Sequence, residues 1–145
     1  MPGRKIRTVL AIIAFVAVFS GVARAQRPYV QPVSPEAGTT PGLVLNIERA
    51  TQWDIYFSSG YAQAGILGTR VLFKGDVTNA SDAPYGEIRV SFTARDIFGG
   101  VLARCSAKTR PERLSPGESG SFRCAVKVPV AQYLNRITYC VKGRP

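Results

Sequence analysis

Three cysteines, Cys105, Cys124 and Cys140, are the only thiols in the 145 residues, and there is no histidine. Without an imidazole, a Ser-His-Asp or Cys-His apparatus, a histidine-ligated metal and a histidine pH switch are all excluded. Three isolated cysteines with no Cys-x-x-Cys spacing lack a ligand set for a metal. No phosphate loop, nucleophile elbow or cofactor fingerprint occurs, so no cofactor is expected. Carboxylates remain: Asp54, Asp76, Asp82, Glu87, Asp96, Glu112 and Glu118. Glycoside hydrolysis needs two of them about 5 to 10 Å apart across a cleft. Most fall where strands end or turn, positions that acidic residues occupy for local hydrogen bonding alone. The expectation is a protein that is not an enzyme.

The thiols are then read as structural. Alternation along their segments puts Cys105 and Cys124 on inward faces and Cys140 outward, opposite Tyr139. Two inward cysteines on facing sheets can come within disulfide reach, Cα atoms about 5.5 Å apart. Cys105–Cys124 is the favoured bridge, closing a loop of about 20 residues and adding about 3 kcal/mol on a chain-entropy estimate. Cys124–Cys140 is the alternative if those strands are hairpin neighbours. The leftover thiol is either buried and inert or available for an intermolecular bridge or redox chemistry.

What must position these residues is a chain with an address at its start. Arg4, Lys5 and Arg7 precede an apolar run from Val9 to Phe19, and Ala23-Arg24-Ala25 supplies a small-residue frame. This is the pattern of a secretory signal over residues 1–25, cut between Ala25 and Gln26. The run is shorter than the ~20 residues that span a bilayer; retention as an anchor is the alternative. Removing it lowers the basic residues from 19 to 15 against 9 acidic, a net charge of +6 instead of +10. The expected compartment is periplasmic or secreted, where disulfides persist. Nucleic acid is not expected as a partner there.

Residues 26–42 hold four prolines and two glycines and read as a flexible, extended lead-in. From 43 to 145 short period-two runs follow one another between turns, with no helical stripe. Leu43, Leu45 and Ile47 alternate first; Trp53, Ile55 and Phe57 form a second strand or a continuation past a bulge. Val71, Phe73, Gly75 and Val77 share a face, as do Ile88, Val90, Phe92 and Ala94. Val101, Ala103 and Cys105 return after an Asp96–Gly100 turn. Phe122, Cys124, Val126 and Val128, then Ile137, Tyr139 and Val141, complete the series. About seven such strands indicate an all-β antiparallel sandwich of the immunoglobulin-like class.

Some of these segments have a familiar form. Gly75-Asp76-Val77-Thr78-Asn79-Ala80-Ser81-Asp82 resembles the "G-x-V-x-N-x-S" segment of small bacterial immunoglobulin-like domains. Val90 to Leu102 is similar to a strand ending in "D-x-x-G-x-V-L", and Leu114-Ser115-Pro116-Gly117-Glu118 before Phe122 to "L-x-P-G-E … F". The family resembled is FxLYD, over roughly residues 43 to 142. The resemblance implies a non-catalytic envelope module and no particular ligand.

Function is accordingly expected to be binding. The first expectation is an exported cell-envelope interaction module that joins another exported protein as accessory or assembly subunit. Trp53, Tyr56 and Tyr61, with Tyr29, are the candidate interface aromatics. The alternative is a basic domain for an anionic glycan or lipid surface, using the densest cationic group, Arg104, Lys108, Arg110 and Arg113. A structural spacer tethered by the lead-in is the plainest reading.

Overall fold

A computed structural model describes residues 22–57, 65–129 and 133–145, without the side chains of 22–25, 55–57 and 65–67. The apolar run of the N-terminus and Tyr61 lie outside the described residues, as does the Tyr56 side chain. The described residues form eight strands: β1 (Val22–Pro28), β2 (Val33–Pro35), β3 (Leu43–Phe57), β4 (Gly65–Asn79), β5 (Gly86–Arg95), β6 (Val101–Lys108), β7 (Ser119–Val128) and β8 (Arg136–Arg144). They form two four-stranded sheets, in the orders β1-β3-β4-β7 and β2-β8-β5-β6. Every pairing is antiparallel except β2 with β8. Among the described residues no helix is long and apolar enough to cross a membrane.

The inward faces are those the alternation indicates. Val71, Phe73 and Val77 of β4 meet Val90 and Phe92 of β5 in one cluster, with Phe122, Val126, Ile137 and Val141 around them. The Phe73 and Phe92 rings stack at 4.1 Å and 6°. Burying side chains of this size contributes about 1.5–3 kcal/mol each, which fixes which face of each strand turns inward.

β3 breaks this simple parity. Its pairing with β4 shifts between Ile47 and Arg49, so Glu48 is an extra residue in the ladder. The strand continues as one element, with Leu43, Leu45 and Ile47 inward before the bulge and Ala50, Gln52 and Asp54 opposite inward residues after it. Trp53 therefore turns to the outer face. Gly75 is required beside this bulge, because a Cβ there would lie 2.0 Å from the Asn46 carbonyl oxygen.

The lead-in differs from its expected role as a flexible tether. It is extended, as its prolines demand, but it is built into both sheets: β1 edges the first and β2 the second. Between them Tyr29 enters the core, its ring edge-on to Phe73 at 5.9 Å. Glu36 receives Arg95 Nη2 at 2.6 Å and a hydrogen bond from the Thr138 hydroxyl. Composition indicated mobility; apolar burial and a carboxylate–guanidinium contact hold the segment down. The boundary expected at 25/26 falls inside β1, which pairs with β3 on both sides of it.

Two other features tie the sandwich. Cys105 and Cys124 form the favoured disulfide, Cα atoms 6.0 Å apart, joining edge strand β6 of one sheet to edge strand β7 of the other. Cys140 is a free thiol on the outward side of β8, as the alternation places it, yet it is buried. At the β4 terminus, fully buried Asn79 donates from Nδ2 to the Ala83 and Leu114 carbonyls at 2.8 and 3.0 Å. Its Oδ1 accepts from the Ser81 N–H and hydroxyl. Gly117, at φ +84°, donates its N–H to the Asn79 carbonyl at 2.7 Å. The two motif segments thus latch onto each other.

Candidate functional site

Two regions present side chains in ways that packing does not require. The first is at the end of the sandwich where β5 turns into β6. Asp96 accepts the backbone N–H groups of Phe98 and Gly100 at 2.9 and 2.8 Å, closing the turn around its own carboxylate. That geometry throws Ile97 and Phe98 outward, 75% and 93% exposed. Tyr133, before β8, is 57% exposed beside them. With Leu102 and Leu134 these side chains line an open depression of about 490 Å³. A single exposed apolar residue is ordinary; a contiguous exposed group is less so.

Beneath the same end lies a polar cluster inside the sandwich. The Asp54 side chain is fully buried; Thr69 and Gln52 donate to its Oδ1 at 2.7 and 2.8 Å, and Arg27 Nε lies 2.9 Å from Oδ2. Burial alone would raise the carboxyl pKa. The hydrogen bonds from Thr69 and Gln52 and the Arg27 charge outweigh it, so the group titrates below its ordinary range. Glu36 is also held low, first by the Thr138 hydrogen bond and then by Arg95. Burial pushes the Tyr29 phenol up, and its hydroxyl has no hydrogen-bond partner among the described residues. Asp54 and Glu36 are thus saturated structural anions. Among the described residues no group of three or more acidic or thiol side chains could hold a metal ion.

The second region is cationic. Arg49, Lys74 and Arg123 sit directly opposite one another on β3, β4 and β7. They share the outer face of the first sheet with the row Trp53, Arg70 and Lys127. The buried Thr51 and Leu72 lie between the rows. On the other sheet Lys142, Arg89 and Lys108 form a matching row across β8, β5 and β6.

Among the aromatics expected at an interface, Trp53 is half-buried on the outer face, with the Arg70 guanidinium 5.7 Å from its ring centre. Tyr29 is consumed by the core. The expected cationic group does not form one patch. Arg104 projects from the middle of β6 opposite Thr93, while Lys108 lies at the far end of the same strand and pairs with Glu112 at 3.6 Å. Arg110 bridges to Ser121 at the β7 edge, and Arg113 reaches toward Gly86. Ile97, Phe98 and Tyr133 were not singled out by sequence. Their one local signal is a pair of large apolar residues inside an Asp–Gly turn, where polar residues are the rule.

Comparison with family models, with curated proteins and with solved structures finds no match to this chain.

Proposed function

We propose that the chain is an exported, non-catalytic, immunoglobulin-like module of the cell envelope that joins another exported protein. The observation that carries this reading is the bare apolar end, Ile97, Phe98 and Tyr133, held outward by the Asp96 turn. Exposing such side chains is unfavourable in the isolated molecule and is offset when a partner covers them. Aromatic anchors at the centre of a patch are the residues that dominate binding energy. The immunoglobulin-like and FxLYD-like reading draws support from repeated chain crossovers between the sheets, after β1, β2, β4, β6 and β7. It draws support also from the Asn79–Gly117 latch, which joins the two motif segments. Export draws support from the disulfide, a bond that persists in oxidising compartments.

The test is capture from the native envelope with the chemically cross-linked protein and its Ile97→Ser/Phe98→Ser variant. A defined protein retained by the parent and lost with the variant is expected. Equal retention by both would remove the apolar end from the interface, and no retained protein would reject the reading.

A further inference from the structure

The two like-charged rows raise a physical problem. Like charges directly opposite on neighbouring strands destabilise a sheet, yet the fold holds two such triplets, Arg49–Lys74–Arg123 and Lys142–Arg89–Lys108. Neither Arg49, Lys74 and Arg123 nor Arg89 and Lys142 has an acidic partner within ion-pairing distance among the described residues. Lys108 alone is paired, through an exposed contact to Glu112 that contributes little.

Their placement is continuous around one side of the molecule. β7 and β6 are the adjoining edges of the two sheets, stitched by the disulfide. Lys74, Arg123, Arg110 and Lys108 border an open depression of about 680 Å³ across that edge. Lys108, Arg89, Lys142 and Arg144 border a second of about 700 Å³ on the next face. Glu48 stands in the first and Glu87 in the second; Glu112 is common to both. Arg144 is answered by Glu87 at 3.2 Å. The remaining cations form a belt on the order of 30 Å long, from strand spacings of about 4.8 Å and a sheet separation of about 10 Å.

We propose that this belt is a binding site for a linear acidic polysaccharide, whose successive carboxylates follow the cations from one sheet face, over the β6–β7 edge, to the other. A positive surface of this kind attracts polyanions generally. Its course decides between them. A bilayer is planar and meets one face at a time, whereas a flexible chain can bend round an edge and engage both triplets. The site is separate from the apolar end and stands whether or not a protein partner binds there.

The test uses the full exported protein with polygalacturonate as probe, neutral dextran as control and phosphatidylglycerol vesicles as the planar competitor. Polygalacturonate binding is expected at low ionic strength and should fall steeply toward about 0.15 M salt. Arg49→Gln/Arg123→Gln and Arg89→Gln/Lys142→Gln should each weaken it about tenfold. Arg70→Gln/Lys127→Gln removes the same charge off the belt and should change it less than twofold. Thermal midpoints of the belt variants should stay level or rise, since like-charge contacts are being removed. Absence of polygalacturonate binding at low salt would overturn the proposal. So would equal losses in all three variants, which would mean that net charge alone matters. Preferred binding to vesicles with no effect of Arg89 and Lys142 would assign the cations to a membrane instead. None of these results bears on capture of a protein by Ile97 and Phe98.

Discussion

At the end where β5 turns into β6, a carboxylate is buried and two large apolar side chains are bare. Toward the opposite end an amide is buried, and cations stand in register on the outer faces of the sheets. Asp54 and Asn79 are both fully buried, and each is met by polar partners. Interior polarity at the two ends follows the same rule, that a buried polar group must be hydrogen-bonded. What differs is the outside. One end exposes Ile97, Phe98 and Tyr133; the other half carries the in-register cations. Packing accounts for both interiors, and what it leaves unexplained differs: apolar side chains at one end, in-register cations over the other half.

The largest effect is expected in the interior. Asn79→Ala removes four side-chain hydrogen bonds of a fully buried residue, at about 1 kcal/mol each, and should lower unfolding free energy by about 4 kcal/mol in denaturant titration. A loss below about 1 kcal/mol would mean that the latch is dispensable. Next comes the seam linking the sheets: Cys105→Ser/Cys124→Ser should remove about 3 kcal/mol, read the same way, without touching capture by the apolar end.

Acid provides a third, smaller probe. Glu36 and Asp54 titrate below their ordinary values of 4.5 and 3.8. A depressed carboxyl binds fewer protons folded than unfolded, so its stabilisation is full above those values and is lost as pH falls through the folded pKa. Glu36→Gln should lower stability by about 1 kcal/mol at neutral pH and flatten the acid limb below about pH 4.5. An unchanged acid limb would mean that the clamp on β2 is not formed in solution. Smallest of all, Ile97→Ser/Phe98→Ser should shift stability by no more than about 0.5 kcal/mol while abolishing capture. A large loss of stability would show that the apolar end packs and does not dock.

Much of this was legible in the residues. Period-two runs such as Ile88-Val90-Phe92-Ala94 declare a half-buried strand, because only one face can be apolar. The same alternation placed Cys105 and Cys124 inward and so singled out their bridge. Other features were hidden for particular reasons. Trp53 left the face its own run suggested, because one extra residue at Glu48 reverses the parity of a period-two element. The lead-in looked mobile from its prolines, and only the cavity for Tyr29 and the Arg95 contact to Glu36 made it part of the sheets.

The order of residues by itself determined that the chain forms strands, which face of most of them turns inward, and which chemistries the absence of histidine rules out. These properties are local, set by side chains two positions apart. Strand order and register were decided by tertiary structure alone. Arg49, Lys74 and Arg123 lie far apart along the chain, and so do Lys142, Arg89 and Lys108; each triplet becomes a row only when its three strands pair. No short-range pattern encodes such a row, because hydrogen bonding across strands is indifferent to the distance between them in sequence.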